Sequence, residues 1–203
     1  MDSSVLCEDG LRRCKWAASS DAFIKYNDEE WGVPQADDIV LFEKLCLEAF
    51  QSGLSWRTIL EKRNNLRNAF DGFDFNKVKD YDTRDVERLL ADSGIIRHKG
   101  KILAVINNAA RIIDCIEEFG SFAAFVWSFE PVLGEDFVPQ SVSLSDASEA
   151  LAKALKKRGW KFVGPTTVYA FMQAMGLIND HATGCFRRPV VEELRRNFTR
   201  PGG

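Results

Sequence analysis

The 203-residue sequence lacks a long hydrophobic run and the beginning of an export signal. No stretch approaches the roughly 18 apolar residues that a membrane-spanning helix needs. The polar start MDSSVLCEDG contains no apolar signal-peptide core. We therefore expect a cytoplasmic protein with no membrane partner.

Cysteines are few, and excess positive charge is absent. The 5 cysteines are odd in number and widely spaced, which is typical of reduced thiols in a protein that is not secreted. Cys46 and Cys115 lie in apolar helical patterns and are expected in the core. The formal net charge of -3 does not indicate a nucleic-acid binder, although a net charge can hide a local basic patch.

Alternating strand patterns, internal repeats and low-complexity segments are also absent, and helical periodicity dominates the chain. The sequence therefore predicts an all-α fold. A chain of 203 residues that is 45% hydrophobic is long enough for one core and short for two domains. We predict a single helical domain over residues 13–189, with loosely held tails at 1–12 and 190–203.

Periodicity, capping residues and glycine stops divide the chain into helices. The predicted helices cover residues 21–29, 38–51, from the 53–56 turn to about 70, 85–91, 99–118, 146–158 and 165–176, with a loop at 130–143. Asp146 and Glu149 have the spacing of a capping box, and Pro165 occupies a favoured first helical position. Residues 146–176 are thus predicted to form a helix, a short hairpin and a second helix.

Glu48 interrupts an otherwise apolar segment that runs from Phe42 to Phe50. The apolar residues cover nearly every face of the predicted helix, and a buried glutamate is costly unless it is paired. Lys44 lies four residues earlier, so a solvated surface pair is the alternative, and the pattern alone favours it. Trp56 favours a pocket instead, because a flat ring beside a buried acceptor suits a flat, hydrogen-bonding or cationic ligand such as a nucleobase.

The predicted hairpin places the backbone N–H groups of Gly164 and Thr166 at a helix start, where they can hold a phosphate. Lys161 and residues 156–158 add positive charge there, as a hairpin that grips a DNA backbone requires. An ordinary helical corner with a solvated basic end is equally supported. A second basic turn supplies further phosphate contacts, for which a solvated surface is the stronger alternative: Arg97, His98, Lys99 and Lys101.

His181 and Cys185 are four residues apart, a spacing that lets both side chains reach one metal ion. Cys14 is distant in sequence but can complete such a site, whereas Asn27 is a poor fourth ligand. These residues alone favour a core histidine and two free thiols.

Six motifs occur together over residues 13–186: RCKW from residue 13, YNDEEWGVP from 26, LEAFQSGLSW from 47, SGIIRHKGK from 93, KFVG from 161 and NDHATGC from 179. In order and spacing they resemble the 3-methyladenine DNA glycosylase I family of bacteria. The resemblance implies the all-α fold of the helix-hairpin-helix DNA glycosylases. It also implies a monofunctional enzyme of base-excision repair that flips 3-methyladenine out of alkylated double-stranded DNA, hydrolyses its N-glycosidic bond and releases the base.

The resemblance assigns roles to the pocket residues. It implies that Glu48 accepts hydrogen bonds from the adenine edge and that Trp56 stacks on the base. Other positions line the pocket or fill the gap left in the duplex: Trp16, Phe23 and Tyr26 for the pocket, and Gly53 and Leu54 for the gap. Phe23 stands where some relatives have a tyrosine, so one pocket hydrogen bond is lost while the ring is kept.

The expected chemistry needs few catalytic groups, because a positively charged methylated adenine is already a good leaving group. Asp180 is a secondary candidate for stabilising positive charge on the sugar, and an orienting carboxylate is the favoured alternative. No lysine nucleophile is evident in the pocket, so we expect no lyase activity. We also expect a monomer without an organic cofactor.

The family joins its chain ends through a structural zinc ion held by two cysteines and two histidines. Cys14, His181 and Cys185 match three of these ligands, and Asn27 stands where the family has a histidine. Three ligands predict weak zinc binding or none. Two functional alternatives stay open: a non-catalytic DNA-binding module that senses lesions, and a glycosylase with another purine substrate.

Overall fold

The computed structural model describes residues 2–134 and 136–202, and most of them are helical. The elements, in chain order, are β1 (Ser4–Leu6), β2 (Arg12–Cys14), α1 (Asp21–Glu29), α2 (Asp38–Gln51), α3 (Trp56–Ala69), α4 (Phe75–Val78), α5 (Thr83–Ala91), α6 (Lys99–Phe119), α7 (Phe122–Trp127), α8 (Asp146–Lys157), α9 (Pro165–Ala174) and α10 (Arg187–Asn197). The predicted helical fold is confirmed, and the structure adds one short two-stranded β-hairpin formed by β1 and β2. None of the helices in the described ranges has the length and apolar character needed to cross a bilayer.

Helix α2 lies at the centre of the molecule. It contacts α3, α6, α7 and α9, and all its residues from Leu41 to Phe50 are buried except the half-buried Glu43. Asp37 begins the helix by accepting the backbone N–H groups of Ile39 and Val40. Its apolar character on nearly every face therefore reflects packing on several sides at once.

Helices α8 and α9 form the predicted helix-hairpin-helix. The capping residue of α8 is Ser145, in a reciprocal pair with Ser148, so the predicted capping box at Asp146 is displaced by one residue. Two adjacent asparagines of α6 hold the hairpin. Asn108 donates to the Lys161 carbonyl at 3.0 Å and accepts the Lys161 N–H at 2.9 Å, and Asn107 donates to the Gly159 carbonyl at 2.9 Å.

Both terminal segments were predicted to be loosely held. The structure corrects this prediction, because the described part of each segment contains regular secondary structure. Strands β1 and β2 pair antiparallel, and the Phe186 N–H donates to the Arg12 carbonyl at 2.9 Å. Helix α10 buries Val191 against the core. Three-residue strands are too short to show periodicity, which explains why the pattern missed them. The boundaries of the 13–189 domain stay a prediction.

Candidate functional site

A cavity of about 360 Å³ opens between α1, α2, α9, the start of α3 and the loop before α8. Its walls are formed by Trp16, Phe23, Tyr26, Trp31, Glu48, Gln51, Trp56, Gln140, Val142, Ala170 and Gln173. The structure thus brings together the five predicted pocket side chains Trp16, Phe23, Tyr26, Glu48 and Trp56. Helices α1, α2 and α9 each supply two lining residues spaced three apart, which share one helical face.

Aromatic rings enclose much of this cavity. The Trp16 ring centroid lies 5.1 Å from that of Trp31, 6.0 Å from Phe23 and 6.2 Å from Tyr26. Tyr26 in turn lies 5.4 Å from Trp56. These edge-to-face and tilted contacts pack the rings against one another along the cavity wall. Trp31 was not predicted as a pocket residue, although it belongs to one of the family motifs.

Glu48 is 5% exposed and forms an ion pair with Lys44, whose Nζ lies 2.6 Å from Oε1. The two interpretations of this segment are therefore both partly correct: the i, i+4 pair exists, but it is buried rather than solvated. The Lys44 ammonium also donates to the Tyr26 hydroxyl at 2.7 Å and lies 3.6 Å from the Trp56 ring centroid. The pattern missed Lys44 as a neighbour of the pocket, because it suggested only a surface partner.

Burial shapes the titration of these groups. It lowers the pKa of Lys44, and the Glu48 carboxylate opposes this effect. Burial raises the pKa of Tyr26, and the negative charge of Glu48 adds to the rise. Tyr26 is consequently a neutral hydroxyl at ordinary pH, able to accept the lysine hydrogen bond.

Asp180 lies behind the opposite wall and holds two glutamines that line the cavity. Its Oδ1 accepts the Gln140 backbone N–H at 2.7 Å, and its Oδ2 accepts the Gln173 side chain. Burial raises the pKa of Asp180, and these hydrogen bonds oppose the rise. Gln140 has a positive φ of 57°, so these bonds stabilise a backbone conformation that residues other than glycine rarely adopt. The contacts are those of an orienting carboxylate.

Both glutamines were missed by the sequence analysis. Gln140 belongs to an irregular loop, where no pattern indicates its neighbours. Gln173 carried a usable indication, since it is a polar residue on the mostly buried helix α9.

Cys14, His181 and Cys185 meet at a buried cluster whose possible ligand atoms all lie within 4.8 Å of one another. His181 Nδ1 is 3.6 Å from both sulfur atoms, while Nε2 lies 3.0 Å from the Trp31 carbonyl. The hydrogen bond between the thiols raises the pKa of Cys14 and lowers that of Cys185. Asn27 is fully buried, and its Oδ1 has no hydrogen-bond partner in the part of the chain that is described.

Gly53 and Leu54 form an exposed turn after α2, with a positive φ of 79° at the glycine. Leu54 is 42% exposed and shares a surface groove with Arg97. Arg97 and Lys99 are exposed, as predicted for phosphate contacts. Lys101 contradicts that prediction, because it points inward and donates to the carbonyls of Phe50 and Ser52 at 2.8 and 2.5 Å.

The two basic turns are neighbours in space. The ring centroid of His98, in the second basic turn, lies 6.2 Å from that of Phe162 at the tip of the hairpin between α8 and α9. Lys161 and Thr166 are exposed there. Gly164 caps α9 without a side-chain hydrogen bond, and a Cβ at this position would meet no atom within 4 Å. The first N–H groups of α9 therefore face an open surface.

Comparison with known proteins covers most of the chain. The family model described as methyladenine glycosylase matches residues 16–188. The chain is 50% identical over 181 residues to DNA-3-methyladenine glycosylase 1 of Escherichia coli strain K12, covering 86% of this chain and 96% of that protein. It is 44% identical over 180 residues to DNA-3-methyladenine glycosylase of Haemophilus influenzae, covering 85% and 96%.

Solved structures agree in fold. A crystal structure of 3-methyladenine DNA glycosylase I matches with a TM-score of 0.80 at 50% identity, covering 86% of this chain and 98% of that one. A structure described as showing how the Staphylococcus aureus enzyme recognises 3-methyladenine matches with a TM-score of 0.82 at 33% identity, covering 87% and 96%. These matches run through both the pocket and the hairpin, and the chain belongs to the methyladenine glycosylase family.

Proposed function

We propose that this protein is a monofunctional DNA-3-methyladenine glycosylase that flips the lesion out of alkylated double-stranded DNA and hydrolyses its N-glycosidic bond. The observation that carries this proposal is the buried carboxylate of Glu48 in a cavity whose lining includes five aromatic rings. Such a combination suits a flat base that donates hydrogen bonds and stacks on aromatic rings. A cavity of about 360 Å³ is also within the range of small-ligand sites.

Within the cavity, Glu48 accepts hydrogen bonds from the adenine edge and Trp56 stacks on the base, while Trp16, Phe23 and Tyr26 enclose it. The alkylated base leaves with the electrons of the glycosidic bond, and water attacks the sugar carbon. Asp180 orients Gln140 and Gln173, which supports a positioning role over a direct part in the chemistry.

On the DNA side, Leu54 and Gly53 fill the gap left by the flipped nucleotide. The N–H groups at Gly164 and Thr166 bind phosphate. Exposed basic side chains add contacts to the DNA backbone: Lys161, Arg97 and Lys99. Lys101 has no part in this surface.

The buried side chains of Cys14, His181 and Cys185 fit a structural zinc ion, which the two sulfur atoms and Nδ1 of His181 would hold. The hydrogen bond that Nε2 makes with the Trp31 carbonyl fixes the ring in the tautomer such a site requires. Water, or the Asn27 Oδ1 that has no hydrogen-bond partner among the described residues, would supply a fourth ligand. When bound, the ion ties the chain ends together. The protein acts as a monomer in the cytoplasm and uses no organic cofactor.

A base-release assay tests the function. Purified protein is incubated with methylated duplex DNA, and released bases are identified by chromatography. We expect 3-methyladenine, with abasic strands that break only on alkali treatment. If no base is released, the protein is a non-catalytic lesion binder. If another purine is released, the protein is a glycosylase with a shifted substrate.

Strand cleavage in the same assay tests the expected lack of lyase activity. We expected no lyase activity because the sequence indicated no lysine in the pocket. The structure corrects this premise, because it places Lys44 next to the pocket. Its ammonium contacts the pocket wall but does not line the cavity, and it is paired with Glu48. We therefore expect no strand cleavage before alkali.

A further inference from the structure

Lys44 contacts three residues of the base pocket from behind. Its ammonium reaches Glu48 at 2.6 Å, the Tyr26 hydroxyl at 2.7 Å and the Trp56 ring centroid at 3.6 Å. Lys44 lines a smaller adjacent cavity, and Tyr26 and Trp56 line both cavities. These two rings therefore separate the ammonium from the space in which a base would lie.

Of the other charged groups that line the adjacent cavity, Glu29 is exposed and pairs with Lys25 at 3.9 Å, and the remaining four pair among themselves. Arg63 pairs with Glu30 at 2.5 Å, and Arg67 pairs with Glu43 at 2.8 Å. The charge that the base pocket presents is consequently set by Glu48 and Lys44, which together sum to zero.

We propose that Lys44 is a positioning residue that sets the charge selectivity of the pocket, so that a neutral alkylated purine binds nearly as well as a cationic one. This inference rests on the proposed function. A cation that enters gains attraction from Glu48 and loses a similar amount to Lys44. The ammonium also occupies one face of Trp56, so the base stacks on the other face, where the ring attracts a second cation less strongly.

The test compares two probes that differ in charge. One is 3-methyladenine, which is neutral at mildly alkaline pH, and the other is 3,9-dimethyladeninium, which is a cation at the same pH and has a methyl group in place of the sugar. Isothermal titration gives the two dissociation constants for the wild type and for Lys44→Met. We expect similar constants in the wild type, and a preference for the cation that rises by about ten-fold or more in the variant. An unchanged ratio in a folded variant overturns the proposal.

Lys25→Met is the matched control. Lys25 forms the same i, i+4 pair with Glu29, but at 3.9 Å and with both side chains exposed. The substitution removes the same charge from the surface, so the ratio of the two constants should not change.

A charge series decides the question even if Lys44→Met does not fold. Glu48→Gln leaves the lysine charge alone and should shift the preference toward the neutral probe. Adding Lys44→Met to Glu48→Gln removes both charges and should bring the ratio back toward the wild type. Equal ratios in these two variants contradict the proposal. A wild type that binds neither probe contradicts the proposed function as well, whereas binding with a ratio independent of Lys44 contradicts only this inference.

Discussion

At the scale of single residues, the Lys44 and Glu48 pair shows how a charge is kept inside an apolar helix. Both side chains are nearly inaccessible, at 7% and 5% exposure, so each needs the other to offset the loss of hydration. Removing one partner of such a pair commonly costs about 3–5 kcal/mol. Glu48→Ala would therefore test stability as much as recognition, and an isosteric substitution is the better probe.

Glu48→Gln is expected to slow base release because the amide replaces a charged acceptor with a neutral one. A hydrogen bond to a charged group contributes about 1.5–3 kcal/mol, which predicts a rate reduced by roughly ten-fold to a hundred-fold. Single-turnover release from methylated DNA measures it. Glu29→Gln, which changes an exposed carboxylate of α1, should leave the rate unaffected. Equal rates for the two variants would remove Glu48 from the site.

At the scale of elements, prediction succeeded where capping and periodicity coincide. Helices α1 and α2 have the predicted bounds, because Ser20 and Asp37 cap them and their apolar positions repeat. Helices α4 and α7 were missed, since four and six residues are too few to show a period. Helix α10 was missed because its sequence is mostly polar and little of it is buried.

Lys99 and Lys101 begin the same helix but should respond oppositely to substitution. Lys99→Met removes an exposed charge, so DNA affinity should fall and the slope of log affinity against log salt should decrease by about one. Lys101→Met leaves two carbonyls at the end of α2 without their donor, which should cost about 1–3 kcal/mol of unfolding free energy and leave the salt slope unchanged. Salt titration and chemical denaturation distinguish them; the reverse pattern would return Lys101 to the DNA surface.

Gly164 and Gly176 flank α9 and offer a matched pair of alanine substitutions. Gly164 has a φ of -70°, and a Cβ at this position would meet no atom within 4 Å. In Gly164→Ala the unfolding free energy should therefore change by less than about 1 kcal/mol. DNA affinity should nevertheless fall, because the methyl group would occupy space at the proposed phosphate site. Gly176 has a φ of 80°, and a Cβ at this position would lie 2.6 Å from the Pro34 backbone. Gly176→Ala should therefore destabilise the protein by more than about 2 kcal/mol. Intact DNA affinity in Gly164→Ala would argue against the phosphate site.

At the scale of the whole molecule, the cluster of Cys14, His181 and Cys185 joins segments that are 167 residues apart. A metal ion bound there stabilises the folded state in proportion to its affinity. Zinc should therefore raise the midpoint of thermal unfolding, and a chelator should reverse the change. Acid should weaken the effect, because protons compete for the thiolates and the imidazole.

Asn27→His tests whether the missing histidine limits this site. A fourth nitrogen ligand should raise zinc affinity by more than about ten-fold, measured by competition with a chromophoric chelator. Cys185→Ser should remove most of the binding. Equal zinc affinity in Asn27→His and the wild type would show that residue 27 does not face the ion.

The sequence by itself determined the longer amphipathic and buried helices, the pocket residues Glu48 and Trp56, and the family, because periodicity, capping and motif spacing are local properties. Only the tertiary structure decided which charges are buried and what they contact. It turned Lys101 away from the proposed DNA surface, placed Lys44 behind the pocket and directed Asp180 to two glutamines. Most of these contacts join residues that are far apart in sequence. Burial in turn depends on how the helices pack against one another, and no single segment of the sequence encodes that packing.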